Sequence, residues 1–508
     1  MVSPEIKSEA FKHAVVSIQR RAEKITDLQK LGEIFVPLDA RARVETFDTQ
    51  LILGRRGTGK THLIRAFQDD AQRHGQVVLN YDCTRLGSGY SGLDVPAVAI
   101  ATKYFAALLN QLGTDLHDLS LRMENAHRPT QHDTMTRLVD SFVPLMSPAQ
   151  AHSELSLFNY AQIARTIEHV FRSLALTRIL LILDEWAQIP FHAQPYFAEF
   201  IKRSLASIPA ISLKLVAVNY QCQFSKLESG NIIGLQRGAD IPDIVDLDGY
   251  LIFAERGDVV ADFFAQVLYN HLGVELQWDL SADLLQKRLM TEALFTQRDT
   301  FFELVRAAEG NWRDFLCIFA KAYFDEFRTS TASKSVSKPN IVRAATEWFD
   351  SEKLASIRAE KEVVDTLTYV MDKVLKGYKS RTFMVETDRT DHPRLVRLLN
   401  ERIFHKLSGT YATKDRAGVR YDLFSVDYGA FARFRGTARQ VDERIFLDSA
   451  GLESDQRGLL VPVDDRRSIR RIIFDPNDGS IRGHANGYTM SDDNDLPLWR
   501  CVLDGSRQ

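Results

Sequence analysis

The stretch LILGRRGTGKTHLI, residues 51–64, constrains the chain more tightly than any other. Leu51, Ile52 and Leu53 form an apolar run that reads as a buried strand. Residues 54–61 then fit G-x-x-x-x-G-K-T, and apolar positions resume at Leu63, Ile64 and Phe67 with helical spacing. A backbone that leaves a strand, curls through glycines and enters a helix turns its N–H groups and the helix N-terminus toward an anion. The spacing therefore assigns phosphate contacts to Gly54, Gly57, Thr58, Gly59, Lys60 and Thr61, with His62 at the flank. Lys60 has the reach for the β- and γ-phosphates, and the Thr61 hydroxyl is the group that holds magnesium.

The rest of the first half fits an α/β arrangement around that unit. Strands are expected at 49–53, 77–81, 179–183 and 213–218, with helices at 96–112 and 159–175 between them. Such alternation implies a mostly parallel sheet covered on both faces. A helix is expected over 5–30, from Phe11, Val15, Ile18 and Ala22. Residues 256–327 carry only helical patterns, at 256–272, 281–290, 298–309 and 312–326. STASKSVSK, 330–338, reads as a linker. A further helical region runs to about Lys376, followed by strand, helix and hairpin.

Composition narrows the classes. Hydrophobic content of 45% with 26% charged residues is that of a soluble globular protein. A net charge of -3 excludes a globally basic coat for nucleic acid, though not a local patch. Cys83, Cys222, Cys317 and Cys501 form no C-x-x-C pair, so zinc sites and disulfide frameworks are not expected, and a reducing compartment is. No apolar signal core opens the chain and its clean apolar runs, such as 179–183, are far too short to cross a bilayer, so the expectation is a cytoplasmic protein without a membrane span.

Two further strands end in polar residues. ILLILDEW, 179–186, places Asp184 and Glu185 at the end of an apolar run. A phosphate loop needs a carboxylate on a neighbouring strand for the magnesium shell, which suits Asp184; Glu185 is placed to polarise an attacking water. LKLVAVNY, 213–220, ends in Asn219, whose amide suits a γ-phosphate or a water.

GRRGTGKT, then LDEW, then a strand ending in Asn219, then an all-helical segment: this order resembles an AAA+ P-loop ATPase of the origin-recognition initiator type. The resemblance implies an α/β core with a parallel sheet at 31–250, after an N-terminal helical segment at 1–30. It implies an all-helical lid at 251–335 and a winged-helix-like domain at 336–440, leaving a small β-rich segment at 441–508. It also implies a strand inserted in the sheet order, putting the magnesium strand at the centre. ATP and Mg2+ are the implied cofactors. EGNWRDFL, 309–316, is similar to the family's lid stretch, which makes Arg313 the γ-phosphate sensor. An arginine from a neighbouring subunit completes the family's site; Arg237 is the nominee here, with Arg203 second. Partners implied are further copies or AAA+ subunits.

A winged helix would bring duplex DNA. The helix expected over 391–407 starts with Pro393 in its first turn and carries Leu395, Leu399, Ile403 and Leu407 as its apolar stripe. Arg394, Arg397, Glu401 and His405 form another face, with Arg402 and Lys406 beside them. The hairpin expected over 409–426 carries Lys414, Arg416 and Arg420 as a wing. From Lys373 to Arg420 basic residues outnumber acidic ones by twelve to five, which is the local balance DNA phosphates favour. Candidate DNA contacts are Arg394, Arg397, Lys414, Arg416 and Arg420. The segment 441–508, with turn signals at 476–479 and 486–487, reads as a structural or partner-binding β module; Asp464, Asp465, Asp492 and Asp493 are its acids. The expected function is ATP hydrolysis that drives a conformational or assembly change, on DNA. The alternative is an oligomerising signalling or anti-phage defence ATPase that works with a partner effector protein. A nucleotide switch with negligible turnover is disfavoured by the intact Asp184–Glu185 pair.

Overall fold

The structure is a computed structural model that describes residues 5–19, 28–38, 40–46, 48–87, 95–124, 159–329, 334–377, 380–412, 418–437 and 472–482. The chain divides into two compact units. One comprises Thr26–Gly54 and Lys60–Tyr250; the other comprises Met1–Ile25, Arg55–Gly59 and Leu251–Gln508. The division passes through the phosphate loop itself, and the long helical segment begins at the second boundary.

The first unit is built on five parallel strands: β1 (Gln50–Leu53), β2 (Val77–Asp82), β3 (Ile179–Asp184), β4 (Ile211–Ala217) and β7 (Asp243–Asp246), in the order β2-β3-β4-β1-β7. β1, β3 and β4 are buried along their whole length, and β3 accordingly reads as a continuous apolar run up to Asp184. Helices Ala97–Glu124, Tyr160–Ser173 and Gln194–Ser204 bury Phe105, Leu108, Ile167, Phe197 and Phe200 with Leu51, Leu53, Leu181 and Leu183 of the sheet. β5 (Ser225–Glu228) and β6 (Asn231–Gly234) form a separate antiparallel hairpin. β4 separates the strand of the phosphate loop from that of Asp184. The inserted strand thus exists, but the central position belongs to β4, the strand leading to Asn219, with β3 beside it. Leu53 pairs with Ala217 and Leu215 with Leu183, so Gly54, Asn219 and Asp184 leave the same carboxyl edge.

The described residues of the second unit between Phe253 and Gly377 are mainly helical, with principal helices at Phe253–Leu276, Leu284–Glu292, Arg298–Ala308, Trp312–Thr329, Lys338–Trp348 and Lys361–Val370. The helix expected over 5–30 is shorter, Glu9–Ser17, started by the Ser8 hydroxyl accepting from Phe11 N–H at 3.1 Å. It docks on this unit through Phe11 against Tyr323, whose hydroxyl donates to the Ile6 carbonyl at 2.5 Å. The linker expected at 330–338 ends in structure: Val336 bridges to Phe295 and Lys338 already opens a helix.

A second sheet follows, made of β8 (Thr382–Glu386), β9 (Phe404–Ala412), β10 (Arg420–Val426), β11 (Ile473–Phe474) and β12 (Ile481–Arg482), in the order β12-β11-β8-β10-β9. The strand–helix–hairpin order is present, but the helix is Pro393–Asn400 and not 391–407. Its end is a Schellman turn. Arg402 adopts φ +59, its N–H donates to the Leu399 carbonyl at 3.0 Å, and Ile403 N–H donates to Leu398 at 2.9 Å. Ile403 and Leu407 therefore follow the helix, and the strand begins at Phe404. His405 and Arg402 are buried, so neither belongs to an exposed basic face. The described part of 441–508 is no separate module: Ile473 pairs in parallel with Met384, extending this sheet. Residues 486–487, Asp464, Asp465, Asp492 and Asp493 lie outside the described residues.

β4 also buries a cation. Lys214 has no exposed surface, and its Nζ donates to the carbonyls of Thr46 and Asp48 and to Gln50 Oε1. Gln50 Nε2 passes the network on to Asp243 at 2.7 Å. Burial lowers the Lys214 ammonium to about 8 from 10.5. Between those values the unfolded chain holds the proton more tightly than the folded one, so stability contributed at this site rises with pH across that window. Urea unfolding of wild type and Lys214→Met should therefore diverge in favour of wild type as pH rises from about 8 toward 10.5. A constant difference between the two would show that the ammonium is not held low.

Candidate nucleotide-binding site

In the first unit, Gly54 ends β1 and Lys60 begins the helix Lys60–Arg73. Lys60 is buried, and its Nζ donates to the Gly54 carbonyl at 2.8 Å, so the ammonium lies across the mouth of the turn that a phosphate would enter. The Thr61 hydroxyl donates to Asp184 Oδ2 at 3.1 Å. Asp184 Oδ1 accepts from the Glu185 N–H at 2.8 Å. Burial pushes the Asp184 carboxyl up to about 6, while the Glu185 N–H, Lys60 and Thr61 pull it down. A hydroxyl and a buried carboxylate that gains from a nearby cation are the oxygen donors magnesium takes, so the residues fit that ion.

Glu185 leaves the strand at φ +55, a left-handed conformation uncommon for a glutamate. The fully buried Trp186 that follows, packed on Phe197 and Phe224, anchors this turn. Tyr220 is likewise left-handed, at φ +61, just after Asn219. The Asn219 amide donates to Asp246 at 3.2 Å and 3.3 Å and reaches Asp248 at 3.5 Å. Its orientation is thus set by the carboxylate that ends β7, a partner that no motif announced.

In the second unit, Arg55–Gly59 forms the apex of the loop. Gly57 and Gly59 have φ +87 and +86, and the Thr58 hydroxyl donates to the Arg55 carbonyl at 2.8 Å. A Cβ on Gly57 would stand 2.5 Å from Asn311 Oδ1, and one on Gly59 3.1 Å from the Trp312 indole. These glycines are required by close packing as well as by the curl. Asn311 Nδ2 donates to the Arg56 carbonyl at 2.6 Å, and the Arg313 N–H to the Gly57 carbonyl at 3.3 Å. Arg313, the expected sensor, therefore has its backbone on the loop.

His62 departs from its expected place. Its buried ring lies 5.3 Å from Phe35, its Nε2 bonds the Leu31 carbonyl at 3.0 Å, and burial lowers it to about 4. It fastens the segment Leu28–Ile34 rather than presenting its ring to a phosphate. Arg237 is exposed, with one nitrogen 3.9 Å from Cys222 Sγ, whereas Arg203 pairs with Glu199 at 2.5 Å. Arg394 pairs with Glu362 at 2.9 Å, and Arg397 with Glu360 at 2.8 Å and with Glu401. Arg420 opens β10 exposed. Lys414 and Arg416 lie outside the described residues.

Sequence reasoning missed Asn311 and Asp246. Asn311 stood beside Arg313 in a noted stretch, and its type and place before a helix were the available signal. Asp246 comes from a distant segment and had none.

Residues 31–207 match the family described as AAA ATPase domain. None of the curated proteins matches the chain. Among solved structures, similarity is found to the Walker-type ATPase of Pyrococcus abyssi, at 13% identity and TM-score 0.36, covering 81% of this chain and 96% of that one. The ORC1 protein of Aeropyrum pernix, in complex with DNA, gives 13% identity and TM-score 0.32 over 84% and 96%. RuvB of Thermotoga maritima gives 10% and 0.31 over 78% and 90%. Likenesses at this level say nothing about activity or partners here. The match over 31–207, the parallel sheet with its inserted strand and the phosphate loop together make the α/β core of this chain an AAA+ P-loop fold.

Proposed function

We propose that the chain is an ATPase that binds ATP with magnesium on the loop 54–61 and cleaves its terminal phosphate. The observation that carries this reading is the 3.1 Å contact between Thr61 and Asp184, next to a glutamate held left-handed. In it, backbone N–H groups and Lys60 bind the phosphates, Thr61 and Asp184 hold the metal, and Glu185 takes the proton of the attacking water. Asn219, oriented by Asp246, lines up that water. Magnesium, when bound, neutralises charge on the phosphates. Arg313 senses the γ-phosphate and Arg237 is offered to a neighbouring subunit, so that turnover changes assembly or grip on a partner.

For that partner the ion pairs matter. Arg394 and Arg397 are already matched with Glu362, Glu360 and Glu401. Duplex DNA would have to exchange these pairs for its own contacts, a small cost for such exposed side chains, so DNA is the first partner to test and a partner effector protein the alternative. Arg420 and the hairpin remain the surface on which DNA would be tested.

Lys60→Ala should abolish retention of labelled ATP in magnesium buffer; retention at wild-type level would remove the loop from the reaction. Glu185→Gln should bind ATP normally and lower kcat by at least about a hundredfold, the typical worth of a positioned base. Normal turnover by this variant would refute the role. ATPase rates measured with and without duplex DNA over a salt series separate the partners. Stimulation that fades with salt identifies DNA, and a flat response removes DNA as the partner.

A further inference from the structure

The loop apex, Arg55–Gly59, is gripped by residues far from it in sequence, all within the second unit. The Arg56 carbonyl accepts from Asn311 Nδ2 at 2.6 Å and lies 3.5 Å from Arg402 Nη1. The Arg55 guanidinium donates to the Glu309 carbonyl at 3.0 Å and contacts His405 Nδ1. Behind these contacts runs a chain of buried charges. His405 Nε2 is 3.0 Å from Asp427 Oδ2, which is 2.6 Å from Lys353 Nζ. Lys353 is 2.9 Å from Asp314 Oδ2, and Asp314 Oδ2 is 3.3 Å from Arg402 Nε. The circuit starts on Arg55 and returns to the next residue of the loop, Arg56. None of its six side chains is more than 9% exposed.

The protonation states fit. Burial, reinforced by the Arg55 guanidinium, lowers His405 to about 3, so the ring is neutral. A neutral ring with its proton on Nε2 donates to Asp427 and accepts from Arg55 through Nδ1. Burial opposes ionisation of Asp314, yet Arg402 and Lys353 outweigh it and hold the carboxyl below its ordinary value.

A buried ionic chain is a poor way to add stability, because each ion gives up its hydration. What it supplies is fixed geometry. Arg402 even takes a left-handed backbone, φ +59, at a helix end where glycine is usual, and from there its guanidinium reaches the loop. We propose that Arg402 and His405 are positioning residues for phosphate binding. They orient the peptides at Arg55 and Arg56 and so couple the shape of the loop to the strand–helix–hairpin region that bears them. This inference rests on the loop binding ATP, as proposed above. Coupling is reciprocal, so nucleotide on the loop must tighten the segment 398–407.

The test uses the full chain and a fluorescent ATP analogue with magnesium. Arg402→Lys keeps a cation beside Asp314 but shortens the reach to Arg56. It should raise the Kd by about five- to tenfold, the worth of one hydrogen bond, with the melting temperature without nucleotide measured alongside to show that the variant is folded. His405→Gln should do the same by releasing Arg55. In wild type, saturation with the analogue should slow amide hydrogen exchange over 398–407, and the slowing should shrink in both variants. Unchanged exchange in a wild type that binds the analogue overturns the inference without touching the proposed function. So does unchanged affinity in both variants. A wild type that does not bind the analogue at all overturns the proposed function. The exchange measurement needs no variant, so a misfolded substitution leaves the inference open to refutation.

Discussion

Thr61 and Asp184 meet at 3.1 Å although 123 residues separate them, and the fold of the first unit is arranged so that they can. β1 delivers the loop and β3 delivers the carboxylate, but β4 lies between them. A side chain at the start of a helix can span that gap when both strands stop at the same level. The in-register parallel pairing of β1, β4 and β3 produces that level edge. A slip of one residue would also turn each inward apolar side chain to the other face of the sheet. The apolar faces buried under three helices therefore fix the chemistry at the edge: the register that fills the core is the register that brings hydroxyl to carboxylate.

Backbone strain gathers at the same edge. Glu185 and Tyr220 are non-glycine residues with positive φ, and each directly follows a residue of the expected site, Asp184 and Asn219. Such conformations cost on the order of 1–3 kcal/mol each and persist where the surroundings over-determine them. At Glu185 the surroundings are Trp186 in an aromatic cluster and the Asp184 carboxylate bonded to the local N–H. A relaxed backbone there would swing the glutamate out of line with the strand end.

Local patterns carried most of the strands and helices because those elements have strong periodicity or unbroken apolar runs. β1 and β3 were legible chiefly for the second reason, β2 and β4 from shorter apolar stretches, and the helices from Phe253 to Thr329 for the first. The helix over 391–407 was misread because Leu395, Leu399, Ile403 and Leu407 keep a spacing of four through a turn that ends the helix. No glycine or proline marks that stop; an arginine occupies the left-handed position, held there by contacts with Asp314 and the Arg56 carbonyl. His62 was misread by adjacency, since a residue next to a phosphate loop need not face it. Strand order, Asp246 and the buried circuit are tertiary facts with no local trace.

Arg402 shows why such facts matter for function. From sequence it lay beside a basic face of the helix expected over 391–407. In the fold it ends a helix, neutralises a buried carboxylate and leans on the phosphate loop, three tasks set by one left-handed residue. Its neighbours on that supposed face divide in the same way. Arg394 and Arg397 are matched by Glu362 and Glu360, and Lys406 is matched by the buried Asp422 at 2.6 Å. An excess of basic residues along a stretch is therefore a weak sign of an anionic ligand when the fold brings carboxylates from elsewhere to meet it. The charge balance of a region can be judged only in three dimensions, and here much of it is turned inward, toward the loop and the core that supports it.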